Sequence, residues 1–242
     1  EMCIRDSWWP HGHGDQTLHH FFLTVETHDH LEQRERKIGI RDVTIKRAAD
    51  ERGESFEIYV NNMPIYSKGA NWIPADYFVE RLDIEDYKRL LNDAKRANMN
   101  TLRIWGGGIY EPDHFYELCD EMGIMVWQDF MFACSMYPAD DSFLESVDKE
   151  ARYQVNRLKS YASVILWCGN NEVASAWLSW GWKEDLPDSI WEDYRKLFHE
   201  LLPKVCSELD PQRLYWPSSP CHGTDQSNHC LLYTSPSPRD SL

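Results

Sequence analysis

Apolar and polar positions follow two different rhythms along the chain, and the rhythm changes near Met63. Before that point, "HFFLTVET", "IGIRDVTI" and "SFEIYVN" are short, rich in β-branched and aromatic residues, and partly alternating. That is the pattern of strands. "AADERGES" reads as a polar turn between the last two. These segments predict the closing strands of a β-sandwich. After Met63, "PIYSKGANW" reads as a strand ending in small polar residues. "IEDYKRLLNDAKRANM" predicts an amphipathic helix with Tyr87, Leu90, Leu91, Ala94 and Ala97 on one face. "NTLRIWGGG" predicts a strand that stops at glycines. "EPDHFYELCDEMG" predicts a helix with Pro112 near its start and Gly123 at its end. "IMVWQDF" predicts a strand, "DDSFLESVDKEARYQVNRLKSY" a long helix, and "VILWCGNNE" another strand. A helix from Ser189 to about Leu209 and a strand at "RLYWPSS" complete the series.

Alternation of strand and helix through five strands implies parallel pairing with crossover helices. Two architectures satisfy it, an open doubly wound sheet and a (β/α)8 barrel. A dinucleotide-binding sheet carries G-x-G-x-x-G after its first strand. Here "WGGGIY" follows the second strand and has no nearby Lys. In a barrel, functional groups collect at the C-terminal ends of several strands. Those ends carry Asn71 and Trp72, Arg103 with Trp105, Gln128 and Asp129, Asn171 and Glu172, and Trp216 with Ser218. The distribution favours the barrel.

Composition narrows the partners. The net charge of -15 repels phosphate backbones and argues against nucleic acid. No apolar run approaches the roughly 20 residues of a membrane helix. Eleven Trp and twelve Tyr suit either a ring-lined sugar cleft or a Trp-rich core. The seven Cys form no C-x-x-C pair, so neither a zinc site nor a disulfide framework is inferred. Cys119, Cys134 and Cys168 are expected to be small, buried and apolar. His11, His13, His19, His20, His28 and His30 fall into no ligand spacing and read as loop and surface residues. No metal and no cofactor is expected.

The two ends read as non-native. "EMCIRDS" (1–7) and "CLLYTS" at the start of 230–242 can be encoded by one short DNA read from opposite strands. That DNA resembles the transposon end used to tag sequencing libraries. The expected organisation is therefore an adapter-like 1–7, the end of a sandwich domain at 8–60, the N-terminal part of a barrel at 61–229, and an adapter-like 230–242.

The stretch "VILWCGNNE" carries candidate chemistry. A carboxylate at a barrel rim in a Trp-rich setting can be desolvated and serve as a general acid near neutral pH. Glycoside hydrolysis needs such an acid, and a second carboxylate about 5–5.5 Å away in retaining enzymes. An amide beside the acid can hold a sugar hydroxyl. On this reading Gly169 lets the backbone turn, Asn171 holds the sugar and Glu172 supplies the proton. The competing reading is that Asn170, Asn171 and Glu172 merely cap the next helix.

"WWPHGHGDQ", "KGANWIPAD", "ANMNTLRIWGGGIYE", "FYELCDEMGIMVWQDFMFACSMYP" and "WCGNNE" occur in this order between Trp8 and His229. Over that span the sequence resembles glycoside hydrolase family 2, and within it the β-mannosidases. The resemblance implies an immunoglobulin-like β-sandwich followed by a (β/α)8 TIM barrel of which about five strands are present. It also implies retaining hydrolysis of terminal β-D-mannose from a β-mannoside oligosaccharide or glycan. It places the acid/base on Glu172 and its partner amide on Asn171. Trp105, Asp129 and Trp180 fall where the family lines the non-reducing sugar subsite, and Arg103 matches a strand-end arginine that could instead brace a neighbouring carboxylate. The family nucleophile, a glutamate near the end of the seventh strand, has no counterpart here; Glu80, Glu111 and Glu117 lack its context. A non-catalytic sugar-binding relative is the alternative, and a glutamate at that seventh strand distinguishes the two.

Overall fold

The computed structural model describes residues 6–50 and 53–221. The adapter-like ends lie outside the described residues except for Asp6 and Ser7. Ser7 is buried, and His19 Nε2 donates to the Asp6 carbonyl at 2.9 Å.

The first part of the chain is antiparallel. β1 (His19–Thr27) and β2 (His30–Ile38) form a hairpin in continuous register from His19 opposite Ile38 to Thr27 opposite His30. β2, "HLEQRERKI", was not expected from its sequence. It is charged along its length and mostly exposed, so no apolar alternation marks it, and its pairing with β1 defines it. The expected strand at "IGIRDVTI" shortens to β3 (Val43–Lys46). The polar turn contains the two-residue partners β4 (Ala49–Asp50) and β5 (Gly53–Glu54). β6 (Glu57–Val60) pairs with β3 on one side and with β7 (Met63–Ile65) on the other.

"PIYSKGANW" is two strands rather than one. Its first residues belong to β7, and its last form β8 (Gly69–Trp72), which joins a different sheet. The buried side chain of Asn100 holds the crossing. Its Nδ2 donates to Tyr66 O at 3.0 Å, and its Oδ1 accepts from Lys68 N at 2.8 Å. The connector at 66–68 is itself exposed, and Asn100, buried beneath it, satisfies two of its backbone groups.

From β8 onward strand and helix alternate. The order is α1 (Ile84–Arg96), β9 (Thr101–Ile104), α2 (Asp113–Met122), β10 (Met125–Asp129), α3 (Asp141–Leu158) and β11 (Val164–Cys168). Then come α4 (Val173–Ser179), α5 (Trp182–Asp185), α6 (Asp188–Arg195), α7 (Leu202–Leu209) and β12 (Leu214–Trp216). A π-helical stretch, Lys196–Leu201, joins α6 to α7. Caps set the helix limits. Asp83 accepts from the N–H groups of Glu85 and Asp86 at the start of α1, and Asp140 does the same for Ser142 and Phe143 at α3. Tyr87, Leu91 and Ala94 of α1 are buried as expected; Ala97 is exposed, because the helix ends at it.

The five strands β12-β11-β10-β9-β8 form one parallel sheet in strict sequence order. No reversal of order occurs, unlike a doubly wound sheet. The sheet divides the core into two clusters. Leu102, Ile104, Val126, Val164 and Trp167 pack with the helices, among Leu91, Phe115, Val155, Leu197 and Leu202. Met125, Leu166, Cys168 and Trp216 pack in a second cluster with Trp8, Phe56, Ile58, Val60 and Ile65 from the antiparallel part. Much of the Trp supply is core: Trp8, Trp9, Trp167, Trp177 and Trp216 are all buried.

A buried carboxylate ties these layers below β11. Asp120 accepts from Ser163 N at 2.7 Å and from Ala162 N at 3.2 Å, while its carbonyl accepts from Trp8 Nε1 at 2.7 Å. Burial pushes its carboxyl up from 3.8 to about 6, against the pull of the Ser163 and Ala162 donors. A folded-state value above the unfolded one means Asp120 favours the fold most when protonated, and that contribution fades as pH rises through about 6. Relative to Asp120→Asn, the wild-type melting temperature should therefore fall between about pH 4 and pH 7 and then level off. A pH-independent difference between the two proteins would show that the carboxyl does not titrate in this way.

Candidate active site

The C-terminal ends of β9, β10 and β11 converge on a network of hydrogen bonds. Arg103 on β9 and Asp129 on β10 lie on the same face of the sheet. Arg103 Nε donates to Asp129 Oδ1 at 3.1 Å and Nη2 donates to Oδ2 at 2.8 Å, a two-pronged pair. Asp129 has no exposed surface and takes two more donors: Gly106 N at 3.0 Å and Trp127 Nε1 at 3.0 Å. Gly106 must be a glycine for this approach, since a Cβ there would meet the Phe132 and Phe130 carbonyls at 2.6 and 2.7 Å. Burial weakens the Arg103 guanidinium, but the facing Asp129 carboxylate outweighs it and leaves the group above its ordinary value. For Asp129, burial pushes the carboxyl up while Arg103 and the Gly106 N–H pull it back.

Arg103 also reaches β11. Its Nη2 donates to Asn171 Oδ1 at 2.9 Å. A guanidinium can only donate, so this bond sets the Asn171 amide with its oxygen toward Arg103 and its nitrogen away. That nitrogen donates to Glu172 Oε2 at 3.1 Å. Cys134 Sγ also donates to Oε2, at 3.4 Å, and Asn171 Nδ2 lies 3.4 Å from the sulfur. Among the described residues, no hydrogen bond forms to Glu172 Oε1.

The backbone brings these groups into one row. Beyond the strand ends the ladder continues as isolated bridges, Ala133 with Asn171 and Asn171 with Ser219. Asn171 N donates to Phe132 O, Cys134 N to Asn171 O, and Glu172 N to Ser219 O. Asn170 locks the turn: it accepts from Val173 N and Ser218 Oγ and donates to Pro217 O. The three residues read as possible caps thus divide their work. Asn170 caps α4, whereas Asn171 and Glu172 point into the network and Glu172 makes no capping bond. The left-handed step of the turn is at Glu172, with φ of 61°. Gly169 serves a different purpose from the one expected. A Cβ there would lie 2.4 Å from Pro217 O, so it is the close approach of the next loop that requires glycine.

Of the residues singled out in sequence, Arg103, Asp129, Asn171 and Glu172 come together. Trp105 follows β9 directly, with its N–H on Trp72 O at 3.0 Å and its ring over Gly107, and it is half-buried. Trp180 lies at the end of α4, half-exposed, with its ring edge-on to Trp182. Gln128 turns to the opposite face, where Tyr116 OH donates to it at 2.6 Å. Cys119 and Cys168 are buried as expected, but Cys134 is exposed and belongs to the site. Its sequence context, "FMFACSMY", is apolar enough to suggest a core thiol. Only the return of the loop after β10 to Asn171 places it otherwise. Burial and the Glu172 carboxylate push this thiol up, and the Asn171 amide pulls it back. Trp127 was also missed, because nothing in "IMVWQDF" tells a core Trp from one that braces Asp129. Among the described residues no group of three or more His, Cys, Asp or Glu could hold a metal ion, and no helix is long and apolar enough to cross a membrane.

No family model matches the chain. Its sequence is 43% identical over 246 residues to a β-mannosidase from Capra hircus, covering 99% of this chain and 28% of that protein. It is 46% identical over 225 residues to a β-mannosidase from Rattus norvegicus, covering 90% and 25%. The crystal structure of a β-D-mannosidase from Dictyoglomus thermophilum superposes with a TM-score of 0.81 at 45% identity, over 91% of this chain and 27% of that one. An exo-chitosanase from Amycolatopsis orientalis shares the fold, with a TM-score of 0.69 at 20% identity over 91% of this chain and 25% of that one. The chain is thus a sequence relative of β-mannosidases over nearly all of its own length, and spans about a quarter of theirs.

The Arg103–Asp129 pair generates a stability prediction. Removing either partner strands a buried charge, so Asp129→Ala and Arg103→Ala should each cost about 3–5 kcal/mol in chemical denaturation. The double variant should cost well below the sum of the two. Additive losses would show that the two side chains do not depend on each other.

Proposed function

We propose that this chain is the part of a retaining β-mannosidase that carries the acid/base carboxylate, and that Glu172 is that residue. The observation that carries the reading is the placement of Glu172. It is a half-buried carboxylate at the end of β11, held by Asn171 within a network anchored on Arg103 and Asp129. The near-full-length match of this chain to β-mannosidases supports the substrate class, a terminal β-D-mannosyl residue on an oligosaccharide or glycan. The five parallel strands are the first part of a (β/α)8 barrel. The antiparallel strands before them close an immunoglobulin-like sandwich whose other strands cover the exposed Phe21, Phe22, Leu23, Val25 and Leu31. The nucleophile, a second carboxylate, comes from outside this chain.

In the first step Glu172 protonates the glycosidic oxygen as the nucleophile attacks the anomeric carbon. In the second it takes a proton from the water that releases mannose. Asn171, beside the acid, engages the axial 2-hydroxyl that distinguishes mannose from glucose. Trp105 and Trp180 offer ring faces to the sugar. Arg103 and Asp129 complete the subsite by fixing the Asn171 amide from behind.

In the full-length enzyme, Glu172→Gln should nearly abolish turnover of unactivated mannosides. It should spare glycosylation by a dinitrophenyl mannoside, whose leaving group needs little protonation. Azide, which needs no general base, should then accelerate the limiting deglycosylation. Unimpaired hydrolysis of unactivated mannosides by the variant would refute the assignment.

Asn171→Ala should lower kcat and kcat/KM together, because a bond to the 2-hydroxyl matters most in the transition state. A rise in KM alone would mark Asn171 as a ground-state contact.

A further inference from the structure

We propose that Cys134 is a positioning residue for Glu172. Its thiol engages Oε2, so that Oε1 is the oxygen that carries the proton to and from the substrate. The inference rests on the reading of Glu172 as acid/base and extends it to a residue on a different strand's loop.

The argument starts from the two oxygens of one carboxylate. Oε2 takes two donors, the Cys134 S–H at 3.4 Å and the Asn171 N–H at 3.1 Å, while Oε1 takes none among the described residues. A proton placed on Oε2 would have to displace one of these donors. A proton on Oε1 displaces nothing. The carboxylic acid therefore presents its O–H from Oε1, and the carboxylate regenerated after the first step presents Oε1 to water.

Two features hold the thiol in place. The Cys134 N–H donates to Asn171 O at 2.9 Å, which fixes the loop after β10 to the turn that carries Glu172. Cys134 is itself in the left-handed region, with φ of 50°, a conformation that costs a non-glycine residue energy and is kept by the bonds around it. The neighbouring Tyr137 OH braces the same loop by accepting from Ala133 N at 2.9 Å.

Among the described residues, the charged and titratable groups that face Glu172 are few. Cys134 approaches from the loop after β10. The Arg103 charge on β9 acts on it through space and is largely matched by Asp129 on β10. The loop after β12 contributes a backbone carbonyl, Ser219 O, which binds the Glu172 N–H rather than its carboxylate. The Glu172 charge disfavours the thiolate of Cys134. The raised thiol value at Cys134 agrees with this coupling.

Two measurements test the proposal. In the full-length enzyme, Cys134→Ala should lower kcat/KM on an unactivated mannoside by about threefold or more, because Glu172 loses a donor that orients it, and leave a dinitrophenyl mannoside, whose departure needs little protonation, nearly unchanged. Cys134→Ser, which keeps an O–H donor, should restore turnover of the unactivated mannoside. An equal effect of Cys134→Ala on both mannosides would make the thiol merely structural and overturn the proposal. Turnover of the same mannoside surviving in Glu172→Gln would instead remove the underlying reading of Glu172. In residues 1–242 alone, the pH profile of Cys134 alkylation by iodoacetamide, followed by peptide mass mapping, should shift to lower pH in Glu172→Gln. An alkylation profile indifferent to that substitution would overturn the coupling whatever the enzyme's activity.

Discussion

A carboxylate with no exposed surface at the end of a strand is costly unless its charge is answered in place. Asp129 is answered four times, twice by the Arg103 guanidinium and once each by the Gly106 N–H and the Trp127 indole. Much of the site depends on this arrangement. The pairing draws Arg103 across from β9 to β10, and from there its Nη2 also reaches the Asn171 oxygen beyond the end of β11. Because the guanidinium has no acceptor, the orientation of the Asn171 amide is decided before any ligand arrives, and so is the donor it turns toward Glu172. A chain of directional bonds thus runs across three strands and ends on one carboxylate oxygen.

The backbone supplies the second half of that constraint. Parallel strands in sequence order end on the same edge, and here the pairing continues past the strands through Ala133, Asn171 and Ser219. The continuation brings a thiol, an amide and a carboxylate within 3.4 Å of one another from two loops. It also explains the unusual residues at the turn. Asn170 spends its side chain on the next loop and on the start of α4, Gly169 makes room for Pro217, and Glu172 accepts a left-handed backbone that points its carboxylate inward. Each is a local cost met by bonds from a different segment.

Where the sequence reading and the structure part, the cause is pairing at a distance. The charged β2 is a strand through its neighbour β1, so its own residues carry no period to detect. "PIYSKGANW" looks continuous because both of its strands are short, and the switch of sheets between them hangs on Asn100, some thirty residues later. Cys134 looks like a core residue because its neighbours along the chain are apolar, while its neighbours in space are Asn171 and Glu172.

The sequence by itself determined the alternation of strand and helix after Met63, the ends of α2 at Pro112 and Gly123, and the polar residues at the strand ends. These are matters of local periodicity, propensity and end chemistry, which act over one or two turns of chain. It also marked Arg103, Asp129, Asn171 and Glu172 as residues out of place in apolar runs. Only the tertiary structure decided which of those groups meet and what each one holds: that Arg103 braces Asp129, that Asn170 rather than Asn171 caps α4, and that Cys134 reaches Glu172. Hydrogen bonds of this kind depend on register between strands and on the path of returning loops. Both are set by long-range packing, and no window of sequence contains them.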